Sequence, residues 1–153
     1  MHTAFVMEID SISESIQNAS KRLDFVLKHA QNVQTQALIT GLEKALGSVK
    51  TYVWVMHEND GLHLQITASL YDLRGMKDRK LTKVISHLMT QEFEPVRTKD
   101  YVSEDLINRD FVFAKGEITV RIHAYVRDDS KSCKRVQIGE EISVRPKYEI
   151  VCK

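Results

Sequence analysis

From Ile9 onward, apolar residues return at alternating steps of three and four: Ile9, Ile12, Ile16, Ala19, Leu23, Val26, Ala30, Val33 and Ala37. That is the spacing of a seam along one face of a long helix. Ser11 with Glu14 three residues on has the form of a capping box, and Asp10 is an alternative cap. From there to Leu46 nothing forces a break. Proline is absent before Pro95, Gly41 is the one interior glycine, and Gly47 is a good helix stop. A single helix of that length extends ~54 Å at 1.5 Å per residue, more than the width of a domain this size. The pattern therefore predicts either one projecting helix or a helical hairpin broken near Gln34-Thr35-Gln36. Beyond that point Leu38, Leu42, Ala45 and Leu46 shift off the seam. The seam has two destinations. The more ordinary one is the chain's own sheet, and the other is a second copy in a coiled coil. Ile12, Ile16, Leu23, Val26, Ala30 and Val33 are the candidate protein interface.

After Gly47 the period changes to two. Tyr52 to His57 is β-rich, Asn59-Asp60-Gly61 is a turn signal, and Leu62, Leu64, Ile66, Ala68 and Leu70 then alternate with polar residues. Leu81, Val84, Ile85, Leu88 and Met89 return to helical spacing beyond a charged loop, Arg74 to Arg79. Phe93 to Val102 reads as extended, with Pro95 keeping it at an edge. Ser103-Glu104-Asp105 reads as a turn or cap. Phe111 to Ala114 and Ile118 to Val126 form a second hairpin across Lys115-Gly116-Glu117. Lys134 to Ile138, Glu141 to Arg145 and Lys147 to Cys152 alternate like a last hairpin with Gly139 at its turn. The expected class is α+β: a long N-terminal helix or helical hairpin, then an antiparallel sheet of hairpins with one inserted helix. One domain spans 1–153, with a helical arm at 1–47 and the sheet region at 48–153.

Composition narrows the function little. The chain has 153 residues, 42% hydrophobic and 28% charged, with net charge +1, so neither disorder nor a strongly basic nucleic-acid binder is indicated. Cys133 and Cys152 are too few for a secreted disulfide scaffold, and two free thiols are expected. No apolar run approaches a membrane span, and Met1 to Phe5 lacks the basic start of a signal peptide. The expectation is a cytoplasmic protein with no membrane partner and no cofactor.

Candidate chemistry is sparse. A zinc or general-base site needs His57, His63 and His123 to converge. No G-x-S-x-G, phosphate-loop or dinucleotide fingerprint occurs. Glu140-Glu141 and Asp128-Asp129 read as solvated turns. Arg121, His123, Tyr125 and Arg127 alternate on one strand face, with Arg145 and Lys147 on another strand. Basic and aromatic residues interleaved in that way can stack bases and neutralise phosphates, so this face is the candidate nucleic-acid surface.

The C-terminal run from Cys133 to Gly139, followed by Pro146-Lys147-Tyr148-Glu149-Ile150-Val151-Cys152, resembles the tail of small accessory proteins of tailed bacteriophages. The resemblance covers about 20 residues. It implies a bacterial cytoplasm and carries no activity or site residue. The expected function is that of a non-enzymatic binding protein which engages or inhibits a host protein, as a homodimer. The alternative is a nucleic-acid-binding module.

Overall fold

A computed structural model describes residues 3–47, 51–103, 106–126, 133–140 and 146–152. The elements run in the order α1 (Thr3–Ala30), α2 (Val33–Leu46), β1 (Thr51–Glu58), β2 (Gly61–Leu73), α3 (Arg79–Thr90), β3 (Glu94–Ser103), β4 (Leu106–Lys115), β5 (Ile118–Val126), β6 (Cys133–Glu140) and β7 (Pro146–Cys152). The class is α+β, with the long helix ahead of the sheet.

The helical arm breaks earlier than its sequence predicts. Asn32 takes an extended backbone (φ −79°, ψ 119°) and its side chain accepts from the N–H groups of Gln34 and Thr35. It is therefore the N-cap of α2, and the break falls at Gln31-Asn32, not near Gln34 to Gln36. The start also differs. α1 reaches back to Thr3, so Ser11 sits mid-helix, where its carbonyl accepts from the Ser15 hydroxyl instead of capping anything. Ala30 and Val33 consequently stand on different helices, and the predicted seam is cut between them.

The phase shift at Leu38 now has a cause. α2 buries Thr35, Leu38, Leu42 and Leu46, steps of three and four that form one face. That face meets Leu81, Val84 and Leu88 of α3. Both helices cover one side of the sheet, where Leu64, Ile66, Ala68 and Leu70 of β2 lie beside Val120, Ile122, Ala124 and Val126 of β5. Gly41 sits at the contact of the two helices. A Cβ there would lie 2.3 Å from the His87 ring.

The main sheet has five strands in the order β1-β2-β5-β4-β3. β1–β2, β3–β4 and β4–β5 pair antiparallel, as their short turns predict. β2 and β5 pair parallel, so the sheet is mixed and not antiparallel throughout. A hairpin announces itself by its turn residues. A parallel neighbour reached through α3, β3 and β4 leaves no such local signal. β3 is an edge strand carrying Pro95 beside a bulge. β3 ends at Ser103 and β4 begins at Leu106; of the turn or cap expected at Ser103-Glu104-Asp105, positions 104–105 lie outside the described residues. β6 and β7 form a separate two-stranded sheet. Gly139 lies within β6, opposite Lys147, and not at a turn. The segment from Glu141 to Arg145, expected as a strand, lies outside the described residues.

Cys152 is not the free thiol expected. Cys152 is disulfide-bonded, and Cys133, the chain's other cysteine, stands opposite it in the β6–β7 ladder. Spacing alone did not reveal this, because it depends on register. Such bonds persist in oxidising surroundings, which sits against the expectation of reduced thiols.

Two outcomes follow. Gly41→Ala should lower stability in urea by about 1–2 kcal/mol, because displacing the His87 ring outweighs the helix propensity gained; a more stable variant would contradict this helix contact. Cys152→Ser should cost about 3 kcal/mol, the size expected for closing a loop of this length. A melting temperature insensitive to both Cys152→Ser and dithiothreitol would contradict the bond.

Candidate functional site

α1 is fastened to the body by its last two turns. Phe25 packs against the core, and His29 is buried with its ring edge-on to Phe25. His29 Nδ1 lies 3.4 Å from Thr35 Oγ1. The Lys28 ammonium donates to Glu117 at 2.6 Å, in the turn between β4 and β5. That hydrogen bond holds the Glu117 carboxyl below its usual range, so the tie is intact at neutral pH and fails as pH falls through that lowered value. His29 Nε2 lies 3.1 Å from the same oxygen. Arg22 reaches the Val55 carbonyl at 3.4 Å.

These anchors use the wrong face of the helix for the seam to be buried. At 100° per residue, Phe5, Ile9, Ile12, Ile16, Leu23 and Leu27 fall within an arc of about 60°, and Phe25 and His29 point roughly the opposite way. The structure leaves the arc to solvent: Phe5 is 67% exposed, Ile16 64%, Leu23 58% and Ile12 51%. Of the other predicted interface residues, Val26 is half-buried near the anchor, Ala30 is exposed, and Val33 is exposed on the first turn of α2. The expectation that the seam packs on the chain's own sheet is therefore not met. Phe5 and Leu27 extend the stripe beyond the sequence reading, which began it at Ile9 and followed Val26 where Leu27 shares the arc.

The second surface is the side of the main sheet opposite α2 and α3. Register places Tyr52, Trp54 and Met56 of β1 beside Thr67, Gln65 and His63 of β2. Across the sheet follow Arg121, His123 and Tyr125 of β5, then Asn108 and Asp110 of β4, then Lys99 and Tyr101 of β3. Arg97, opposite Val112, is on the same side. The predicted trio Arg121, His123 and Tyr125 thus lies at the centre of this face. Arg127 lies outside the described residues, as does Arg145, and Lys147 belongs to β7 in the other sheet. Tyr52, Trp54, Arg97, Lys99 and Tyr101 come from the flanking strands. Only strand order brings them here, and strand order is not readable from local pattern.

Tyr71 and Tyr125 stack with centroids 4.7 Å apart and planes 9° from parallel. Lys99 Nζ stands 4.9 Å over the Tyr101 ring. Asp110 is buried and bonded to His123 Nδ1. Two buried polar atoms on this face have no partner among the described residues, Asn108 Oδ1 and Arg121 Nε. Each is an unmet hydrogen-bonding demand, which is costly when buried.

The three histidines do not converge. His57 pairs across the ladder with Leu62 and shares the helix-covered side, whereas His63 pairs with Met56 on the open side. His63 bonds Asp60 at 2.8 Å, which holds the Asp60 carboxyl below its usual range. Glu58, Asp60 and His63 bring ligand atoms within 4.8 Å at the β1–β2 turn, but both acids are exposed, as in ordinary solvated turns. His123 is remote from both, being paired in register with Ser69. The Asp110–His123–Ser69 row contains the residue types of a nucleophilic triad. Ser69 makes no hydrogen bond to His123 among the described residues, so the row lacks the nucleophile–base contact of a triad.

No helix among the described residues is long and apolar enough to cross a membrane. The chain matches no protein-family model and no curated protein.

Proposed function

We propose that this chain is a non-enzymatic binding protein that works as a pair of copies joined through α1. The observation that carries the reading is the stripe Phe5, Ile9, Ile12, Ile16, Leu23 and Leu27, a set of large apolar side chains within one narrow arc, facing away from the body. A scattered exposed leucine needs no partner, but a continuous stripe of this length does. The occupant that fits is a second α1. Steps of three and four suit a seam between like helices, and the polar flank (Ser11, Glu14, Gln17, Lys21) stays in water. The paired bodies are then free to engage a further protein. The tail resemblance to phage accessory proteins favours a bacterial host protein in that role.

Wild type should sediment as a dimer at micromolar concentration. Ile16→Asp with Leu23→Asp should weaken pairing by at least about 100-fold, from two lost burials of roughly 1.5 kcal/mol each. The melting of the body should be unchanged, because both side chains are exposed. A wild-type monomer throughout that range would overturn the reading.

A second reading concerns the open sheet face, and it is favoured by the unpartnered Asn108 Oδ1 and Arg121 Nε among exposed aromatics and cations. On that reading the face takes single-stranded RNA, stacking bases on Trp54 and Tyr101 and pairing phosphates with Arg97 and Lys99. Trp54 is the chain's one tryptophan, so its fluorescence reports binding directly. An RNA of about ten nucleotides should quench it at low salt, and Arg97→Ala with Lys99→Ala should flatten the log–log salt slope by about 1.4. Absence of quenching at low salt would dismiss this reading.

A further inference from the structure

A cavity of about 1070 Å³ opens where the end of α2, the loop after β2, the start of α3 and the end of β7 meet. Its lining carries six cations: Lys44, Arg74, Lys77, Arg79, Lys80 and Lys83. One carboxylate joins them, Asp78. Among the described residues the lining is therefore net +5, and the chain's total of +1 leaves net −4 for everything else. A nearly neutral chain places six of its 22 Lys and Arg residues around one hollow.

The single carboxylate is occupied by the backbone. Asp78 is the N-cap of α3, accepting from the Lys80 N–H at 2.9 Å and, through its other oxygen, from the Arg74 N–H at 3.1 Å. Lys44, Lys77, Arg79, Lys80 and Lys83 make no ion pair among the described residues. Their placement also opposes the helix. The N-terminus of α3 already carries about half a positive charge from its aligned peptide dipoles. Its first turn holds no acidic residue, and Arg79, Lys80 and Lys83 lie in its first five positions. Acids are the stabilising choice there. Asp78 supplies that acid at the N-cap, and Arg79, Lys80 and Lys83 still outnumber it there, repelling both the dipole and one another.

We infer that this hollow is an anion-binding site for a small molecule carrying a chain of phosphate groups, such as a triphosphate. The volume suits a ligand of nucleotide size. Among the described residues the lining has no aromatic side chain, so no base is stacked and recognition runs through the phosphates. The ammonium and guanidinium groups that line the hollow would supply the donors. An anion seated there relieves the repulsion, so binding and folding stability are linked. This inference rests on the cavity alone and is independent of α1 pairing and of the open sheet face.

The test is a thermal melt of the full chain with sodium tripolyphosphate, with ATP, and with sodium chloride at matched ionic strength. Either phosphate chain should raise the melting temperature by about 5–10 °C at roughly 100 times its Kd, and matched chloride should do far less. Lys80→Glu with Lys83→Glu should melt higher than wild type without ligand, because the clash with the dipole is removed, and should lose the response to tripolyphosphate. A wild-type response no greater than that to matched chloride would overturn the site. So would a response that survives in the double variant. An oligonucleotide that acts at a lower phosphate concentration than tripolyphosphate would overturn the small-ligand assignment and make the hollow a nucleic-acid contact.

Discussion

α2 and α3 lie together over β2 and β5, and this contact fixes what every other surface of the molecule can be. Leu38, Leu42 and Leu46 from one helix and Leu81, Val84 and Leu88 from the other meet the apolar rows of the two central strands. At roughly 1.5–3 kcal/mol for each large side chain taken out of water, this layer supplies most of what opposes chain entropy in the body. Two short helices cover one side of the main sheet. The other side is left to Tyr52, Trp54, Tyr71 and the half-buried polar row of β5, and it is held together by stacking and by the Asp110–His123 bond.

The same layer releases α1 from core duty. Asn32 ends the continuity between the first two helices by offering its side chain to the N–H groups of Gln34 and Thr35. α2 then turns its own apolar face inward, while α1 touches the body through Arg22, Phe25, Lys28 and His29 toward its end. The earlier turns of α1 gain nothing from the core. A helix without tertiary packing is marginal in water, and this one carries its most apolar stripe on the side away from the body. Pairing with a second copy answers both facts together.

Much of this arrangement was legible in the residues. The turn at Asn59-Asp60-Gly61 and the alternation through Leu70 located the first hairpin, and the steps of three and four located α1, α2 and α3. What local pattern could not supply was long-range geometry. The parallel β2–β5 pair has no turn to mark it, and the opposition of Cys133 and Cys152 depends on register. The same limit governed the surfaces. Arg121, His123 and Tyr125 were visible because one strand carries them, whereas Trp54 and Lys99 join them through strand order. The basic hollow had a signal that went unused: five cations between Arg74 and Lys83, running into a helix whose first turn holds no acid. Net charge concealed it by averaging over the whole chain.

Hydrogen exchange of the α1 amides, followed as a function of protein concentration, tests the central claim most directly. If α1 owes its order to a second copy, the amides between Ile9 and Leu23 are protected at high concentration and lose that protection on dilution, while β2 and β5 stay protected throughout. Protection of α1 that does not change with concentration, or exchange as fast as an unstructured chain at every concentration, would contradict it.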